Sequence, residues 1–516
     1  MTHPDPPEKL SHGSPPSPAV EYDERLRVCC PPHTTERKLV ARIDLRVIPL
    51  LCLMYLLAFL DRVNIANANS FGLSEELGLA SKNSIKYNTA LVIFFVPYIL
   101  FEIPSNILMK KLKPNVWPVQ ERSLLDKLEL HPTNSPAVSG CMFAFGLVTV
   151  CQGLVQNYAG LLATRFFLGL CETGMFPGCF YLIGMWYRRH EAQRRYSFFF
   201  SSTTLAGAFG GLLASAIGKM DGMRGYRGWR WIFILEGTLT CVVSLFLFFM
   251  LPNFPEEAKW LGEDEREYVK ARLEVDQGRS AVERRITLRD VGNVFKDPKV
   301  LVGGFMYFGL IVPAYGYAYF SPAILKTYGY SPIQTQLHSV PPWAAAFVFA
   351  MLVAWFSDKF KHRFAFAVLP ILVAIAGFGM LLSEPPSATN NATQYAALFL
   401  VAMGCYSAMP IIVCWFVMNL GGHHRRAVGS AWQVGFGNTG GIISVFAFLT
   451  KDAPRYIPGY SICIAFCCLS LLAIAVYGAM VMLENRKRDR AVADLGLTQH
   501  EKAELGDLSP DYRYLL

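Results

Sequence analysis

The sequence predicts an all-α membrane protein whose twelve transmembrane helices form two six-helix bundles. Composition is the first reason, because 53% of the 516 residues are hydrophobic and 17% are charged, whereas soluble domains carry about 25% charged residues. The second reason is a series of twelve apolar runs, most of them close to the ~20 residues that a helix needs to cross a bilayer. The third is the placement of Lys and Arg, which gather at alternate ends of these runs.

The apolar runs fall into two groups of six, separated by a charged, helix-prone segment. This division predicts an N-terminal bundle over 43–251, a central linker over 252–299 and a C-terminal bundle over 300–483. Two repeats of this kind are typical of secondary transporters. The predicted spans cover 47–69, 87–109, 140–156, 158–186, 196–217, 229–251, 300–319, 338–356, 364–382, 394–418, 428–449 and 461–483.

The flanks and loops predict an orientation. Residues 1–42 are polar and proline-rich, without the apolar region of a cleaved leader, and are expected to be a disordered tail; a second tail covers 484–516. The loops KKLK, YRRHEAQRR, DKFKHR and HHRR, after spans two, four, eight and ten, are dense in Lys and Arg. Because positive loops stay in the cytoplasm, both tails and the linker are expected there. Asn391 begins an Asn-Ala-Thr triplet on the outer side and is a candidate glycosylation site.

Several functional classes are not supported by the sequence. The net charge of +9 is concentrated at the ends of apolar runs rather than on a nucleic-acid-binding face. Most of the 13 cysteines lie inside apolar runs, and no metal-ligand spacing appears. There is no GxxxxGK[ST] phosphate loop and no catalytic constellation. The expected protein is therefore not an enzyme, needs no cofactor and depends on an ion gradient.

The first span carries the sequence's most informative charges. Its apolar stretch, 47–60, runs directly into Asp61 and Arg62 and is too short to cross the bilayer alone. A full span would bury the pair, and buried charges in such helices usually face a pathway. The alternative is that the helix ends at Leu60 and the pair lies among lipid headgroups.

Span four contains Arg165 and Glu172, two helical turns apart and so on nearly the same face. Glu172 is a candidate proton acceptor, and the alternative is a static ion pair that ties helices together. Arg165 is expected to have a gating or structural role.

Other intramembrane polar residues allow two interpretations each. Glu102 in span two and Glu236 in span six could hold a proton or an interhelical hydrogen bond. Gln433 and Asn438 lie in the glycine-rich span eleven, where they could contact a ligand or serve packing. Three tyrosines of span seven could line a cavity or lie at the membrane interface: Tyr315, Tyr317 and Tyr319.

Several motifs resemble the major facilitator superfamily. FSDKFKHR, which includes Asp358 and Arg363, looks like its cytoplasmic signature, and Arg165 with Gly169 resembles its span-four motif. LLCLMYLLAFLDRVNIANA, ATRFFLGLCETGMFPG, WRWIFILEG and QVGFGNTGG are similar to the fungal allantoate permease branch of the anion:cation symporters. The similarity covers about 42–483. It implies the major facilitator fold and uptake of a carboxylate, ureide or vitamin such as allantoate, nicotinate or pantothenate.

The resemblance also implies site roles. Arg62-Val63-Asn64 and the Glu-x-Gly-x-x-Phe-Pro sequence that begins at Glu172 match motifs of the wider family, which includes sialin. They imply anion binding by Arg62 with Asn64, and proton coupling by Glu172 with Asp61, which would also orient Arg62. A guanidinium suits an anion because it offers two donors to a carboxylate and stays charged.

Two departures from the family pattern stand out. The first-half signature, NILMKKLKPNVW, lacks the usual aspartate, which leaves the gating contact on that side open. Residues 118–139 interrupt the passage into span three, either as an inserted cytoplasmic loop or as a gene-model artefact such as a retained intron; we favour the artefact.

These observations predict a monomeric, proton-coupled symporter of a small organic anion in the plasma membrane. A first alternative is an exporter of a fungal secondary metabolite or toxin on the same fold, which uptake driven by an imposed proton gradient would distinguish. A second is a non-transporting nutrient sensor, for which a longer signalling tail would be expected.

Overall fold

The computed structural model describes residues 30–79, 85–111, 136–252, 255, 258, 260–277, 292, 294–360, 362–383, 390–421, 423–490 and 513–516. Within these residues the chain forms helices and no strand, and every predicted span is occupied by a helix, which confirms the all-α membrane fold. The α-helices are α1 (Glu36–Ser70), α2 (Leu73–Glu76), α3 (Lys86–Lys111), α4 (Pro136–Gly153), α5 (Tyr158–Glu172), α6 (Met175–Trp186), α7 (Arg189–Ile217), α8 (Gly228–Met250), α9 (Glu263–Gln277), α10 (Pro298–Lys326), α11 (Pro332–Phe360), α12 (Arg363–Ser383), α13 (Asn391–Met418), α14 (His423–Ala447) and α15 (Ile457–Arg490).

Eight helices in the described part of the chain are long and apolar enough to cross a membrane: α1, α7, α8, α10, α11, α12, α13 and α15. Their apolar residues form the core and the outer surface alike, because many large hydrophobic side chains stay exposed where lipid would cover them. The remaining predicted spans are occupied by α3, by α4, by α14 and by the interrupted pair α5 and α6.

Several predicted boundaries were wrong. Helix α1 begins at Glu36, inside the segment 1–42 assigned to a disordered tail, because the Thr35 hydroxyl caps it by accepting a hydrogen bond from the Lys38 N–H at 3.4 Å. Helix α15 continues to Arg490, into the predicted tail 484–516. Helix α4 begins at Pro136, so the last residues of the suspected insert 118–139 are helical, while 118–135 lie outside the described residues.

The helices pack as two bundles that touch along several lines. In the first, α1 packs on α7, α3 on α5, and α4 on α8; in the second, α12 packs on α13, α10 on α15, and α12 on α15. Contacts between the bundles run from α7 to α11, from α3 to α14 and from α1 to α10. Small residues permit the close approaches, as at Gly207, where a Cβ would lie 2.3 Å from the Trp343 ring.

The end of the molecule that carries Glu36 and residues 513–516 is called the terminal face, and the opposite end the distal face. On the terminal face, α9 of the central linker is anchored to the first bundle by an ion pair between Glu265 and Arg42 at 3.0 Å. On the distal face, the Asn88 amide donates to the carbonyl oxygens of Val445 at 2.6 Å and Phe448 at 3.2 Å, which joins the two bundles.

Glu76 organises a polar cluster on the distal face. It accepts hydrogen bonds from Arg230 Nη2 at 2.8 Å and from the Trp229 indole at 2.7 Å. Partial burial opposes ionisation of the carboxyl, but these donors outweigh it and hold the pKa of Glu76 below its ordinary value. The cluster ties the loop after α1 to the beginning of α8.

Candidate functional site

A small cavity lies between the two bundles, with a volume of about 20 Å³, which is room for about one water molecule. Eight of its sixteen lining side chains are aromatic, and Arg62 is the one charged residue among them. A larger ligand therefore requires the bundles to move apart. The lining residues are Tyr55, Phe59, Arg62, Tyr98, Phe176, Phe200, Thr203, Tyr307, Ile311, Ala314, Tyr315, Tyr406, Met409, Pro410, Val434 and Asn438.

Arg62 is the polar centre of this cavity. Its Nε donates to Glu172 Oε1 at 3.0 Å, and its Nη2 makes a second, closer contact with the same oxygen. Its Nη1 donates to the Tyr315 hydroxyl at 2.5 Å. The guanidinium also lies over the rings of Phe94 and Tyr98, at 5.1 and 4.9 Å from their centroids. Arg62 thus links α1 to α5 in its own bundle and to α10 in the other.

The position of Glu172 follows from how α5 packs and where it ends. At Gly169 a Cβ would lie 2.1 Å from the Phe94 carbonyl oxygen, so the glycine lets α5 approach the backbone of α3. Glu172 is the last residue of α5, and the helix is interrupted before α6 begins at Met175. The side chain is buried, and its Oε2 has no hydrogen-bond partner.

Arg165 does not form the ion pair with Glu172 that the sequence left open. Its guanidinium nitrogens donate to the Arg62 carbonyl oxygen, both at 3.3 Å, and to the Ala90 carbonyl oxygen at 3.4 Å. It also lies over the Phe94 ring, 5.3 Å from the centroid. Arg165 therefore fixes the backbone of α1 at Arg62, which supports a structural role.

Asp61 is turned away from Arg62, so its expected role as an orienting partner is wrong. Its carboxylate faces the hydroxyls of Thr149 and Thr240 on α4 and α8, but neither oxygen reaches a hydrogen-bond partner. Asn64 lies on the same side and donates to Glu236 Oε2. Asn64 is therefore not a cavity residue, and Glu236 holds an interhelical hydrogen bond.

The remaining candidate polar residues lie in different places: some line the cavity and others lie at contacts between helices. Asn438 lines the cavity, whereas the Gln433 amide donates to the Gly303 carbonyl oxygen at 3.1 Å and holds α14 against α10. Glu102 is buried opposite Gly435, where a Cβ would lie 3.2 Å from its Oε2, at the contact between α3 and α14. Tyr315 lines the cavity.

The signature residues lie on the terminal face. Arg363 Nη2 pairs with Asp358 Oδ1 at 2.8 Å, and Arg194 of the first bundle pairs with Asp358 Oδ2 at 3.1 Å. Asp358 therefore joins the bundles at this end, as Asn88 does at the distal end. Arg194 was missed, since it appeared only as part of a basic loop. Asn391 is the first residue of α13, and its glycosylation stays a prediction.

Apart from Tyr315, the aromatic lining was also missed, although the sequence holds a signal for part of it. Tyr55, Phe59 and Arg62 follow one another at four and three residues, which is the spacing of a single helix face. Val434 and Asn438 repeat the four-residue step on α14. Each of these patterns covers only two or three residues. An apolar helix contains many patterns of this length, so the sequence alone does not show which one faces the cavity.

The fold and the central cavity define a membrane transporter. Residues 51–445 match the model of the Major Facilitator Superfamily. The chain is 32% identical to an uncharacterized transporter of Schizosaccharomyces pombe over 99% of its own length and 95% of the relative. It is 30% identical to the MFS-type transporter cnsO of Penicillium expansum, over 93% of this chain and 91% of that one.

A solved structure shows the same fold. A bacterial homolog of the human lysosomal transporter Spinster, in an inward-facing and occupied conformation, superposes with a TM-score of 0.57 at 16% identity, covering 84% of this chain and 95% of that chain. The chain belongs to the Major Facilitator Superfamily, a family of transporters rather than enzymes. It is an integral, multi-pass membrane protein.

Proposed function

We propose that this transporter is a proton-coupled symporter that takes up a small organic anion through the cavity around Arg62. The observation that carries the proposal is the buried Arg62–Glu172 ion pair, in which Arg62 lines the cavity and Glu172 holds it from behind. The motif resemblance to the allantoate permease branch of the anion:cation symporters supports the same class of substrate.

The coupling follows from charge balance at a buried site. Glu172 occupies both Nε and Nη2 of Arg62, so an anionic substrate must take these donors from it. An unpaired charge is costly to bury. When Glu172 takes up a proton, its charge disappears and Arg62 needs a new anionic partner. Proton and substrate anion are therefore favoured together, which is the condition for symport.

The lining narrows the substrate class. Arg62 is the one charge among the described lining residues, and half of that lining is aromatic. A single guanidinium suits one carboxylate, and aromatic faces suit a flat or ring-containing body. We propose a monoanionic carboxylate with such a body rather than a dicarboxylate. Tyr315 would contact it from the second bundle, so that substrate binding closes the two bundles on each other.

An uptake panel tests the proposal in fungal cells that lack their own carriers. Radiolabelled nicotinate, pantothenate, allantoate, succinate and a dipeptide are compared at acidic external pH, with and without a protonophore. We expect accumulation of a flat or ring-containing monocarboxylate that the protonophore abolishes. Arg62→Ala should remove it, whereas Arg224→Ala, an exposed arginine on the distal face, should not. Unchanged uptake by Arg62→Ala at normal surface expression would contradict the assignment.

A further inference from the structure

Residues 513–516 form a short segment that lies across the terminal face of the second bundle, and we call this segment the strap. It is not part of a helix. Tyr514 is its most buried residue, with 5% of its surface exposed. The Tyr514 hydroxyl accepts hydrogen bonds from Lys299 Nζ at 2.8 Å and from Arg488 Nη2 at 3.4 Å, and both cations also lie over its ring, at 4.1 and 4.8 Å. Tyr514 therefore anchors the strap to the beginning of α10 and the end of α15.

Two asparagines hold the backbone of the strap by exchanging pairs of hydrogen bonds with it. Asn485 on α15 accepts from the Tyr514 N–H at 3.0 Å and donates to its carbonyl oxygen at 2.9 Å. Asn419, which follows α13, accepts from the Leu515 N–H at 2.7 Å and donates to its carbonyl oxygen at 3.0 Å. The Trp415 indole donates to the same oxygen at 2.8 Å. Because an amide side chain carries both a donor and an acceptor, the strap is held at two successive residues through its backbone.

The last residue of the strap reaches the contact that joins the two bundles. The Leu516 carbonyl oxygen accepts a hydrogen bond at 2.6 Å from the N–H of Arg363, the first residue of α12. The Arg363 side chain donates to Ser357 Oγ at 2.7 Å and pairs with Asp358 Oδ1 at 2.8 Å. The other oxygen of Asp358 pairs with Arg194 of the first bundle. A continuous series of contacts thus runs from the strap through Arg363 and Asp358 to the first bundle.

The strap satisfies a donor that α12 cannot satisfy itself. The first N–H groups of a helix have no partner within it, and Leu516 supplies one at the residue whose side chain holds Asp358. With Arg363 fixed through both its backbone and its side chain, the Asp358 carboxylate is turned so that one oxygen faces each arginine. Holding a side chain in advance reduces the entropy that an ion pair costs. The strap therefore favours the closed form of the terminal face.

We propose that the strap is a latch for the terminal face. While bound, it positions Arg363 and Asp358 for the contact with Arg194, and its release makes the terminal face open more readily. Arg363 and Asp358 act here as positioning residues, since neither lines the central cavity. The strap also joins the ends of α10, α12, α13 and α15, so these helices would move as one body when the bundles separate. The proposal concerns gating and does not depend on the substrate or on proton coupling.

Distances between nitroxide labels measure the opening in the full chain. Labels carried by unnatural amino acids replace Arg37 in the first bundle and Lys296 ahead of α10, both exposed on the terminal face. Pulsed electron paramagnetic resonance in nanodiscs then gives the ratio of the wide to the narrow distance. Tyr514→Ala should raise this ratio about two- to fivefold, the range that an ion pair as exposed as that of Arg194 can supply. Leu515→Ala is the matched control, because its exposed side chain can be shortened while its backbone contacts remain.

A double-mutant cycle shows whether the strap acts through the ion pair. In Arg194→Ala the partner on the first bundle is gone, so Tyr514→Ala should add no further opening in that background. Asn485→Ala releases the strap by a second route and should match Tyr514→Ala, which keeps the test valid if one variant folds poorly. The proposal is wrong if both variants leave the ratio unchanged, if they raise it equally with and without Arg194, or if Leu515→Ala raises it as much.

Discussion

Replacing Glu172 by Gln separates substrate binding from proton coupling. The amide keeps the size of the side chain and can still accept a hydrogen bond from Arg62, but it carries no charge and takes up no proton. The variant therefore imitates the protonated state permanently. We expect it to bind the anionic substrate at any pH and to lose accumulation driven by a pH gradient.

The size of the binding effect can be worked from the two contacts between Arg62 and Glu172. In the Gln variant both contacts keep the charged guanidinium as donor and lose only the charge of the acceptor. A loss of about 0.5–1 kcal/mol per contact lies within the spread for hydrogen bonds that involve a charged group. Over the two contacts, a substrate carboxylate that displaces Gln rather than ionised Glu therefore gains about 1–2 kcal/mol, or roughly 5- to 30-fold in affinity. The gain should disappear at low pH, where Glu172 of the unmodified protein is also protonated.

Proteoliposomes provide the assay, with the anion that the uptake panel identifies. Counterflow measures exchange without net proton movement, and accumulation under an imposed pH gradient measures coupling. Glu172→Gln should keep counterflow and lose accumulation. Glu236→Gln is the matched control, because this buried carboxyl accepts from Asn64 and does not contact Arg62. Gradient-driven accumulation by Glu172→Gln would refute the reasoning.

Three further predictions concern other contacts. Arg62→Lys keeps the charge but offers one nitrogen where three now donate, so substrate uptake at low concentration should fall at least about tenfold; initial rates measure it. Gly169→Ala places a Cβ against the Phe94 carbonyl oxygen and should destabilise the protein by about 1–3 kcal/mol, seen as a lower melting temperature in detergent. Glu76→Gln should lower the melting temperature at neutral pH, and the difference from the unmodified protein should shrink below about pH 4.3, the ordinary pKa of Glu.

The sign of the pH prediction follows from the direction of the shift. The pKa of Glu76 is lower in the folded protein than in the unfolded chain, chiefly because Arg230 and Trp229 donate to the ionised form against the effect of burial. Its contribution is complete above the unfolded pKa and is lost as the pH falls through the folded pKa. A difference that grew in acid would contradict this. For Gly169→Ala the control is Gly379→Ala, where a Cβ meets nothing within 4 Å.

The helices could be predicted from the sequence because a helix that crosses the hydrocarbon core must be mainly apolar, and apolar runs are visible in the sequence. A spanning segment must be predominantly apolar over about 20 residues, so the apolar runs identified the helices even where boundaries such as Glu36 differ. The predicted start of the first helix was wrong for a local reason. Residues 36–46 carry six charged side chains and belong to a helix that extends beyond the apolar part of its span, which hydropathy does not record.

The site was harder to predict because neighbouring residues on a helix point in different directions. Successive side chains are about 100° apart, so Asp61 and Arg62 cannot both face the cavity. Arg62 faces it, and Asp61 and Asn64, three residues apart, face α4 and α8 instead. Gln433 and Asn438 are separated in the same way. The partner of Arg62 was equally hidden, since Glu172 lies on another helix, 110 residues away.

Charge balance at Arg62 also distinguishes symport from antiport. An anion replaces Glu172 as the partner of Arg62, so protonation of Glu172 strengthens its binding, and anion and proton travel together. A cation would instead compete with the proton for Glu172, so acid would weaken its binding, and the two would travel in opposite directions. The two-bundle fold permits either. Substrate affinity measured against pH therefore decides the class of mechanism before the direction of transport is known: affinity that rises in acid indicates symport, and affinity that falls in acid indicates antiport.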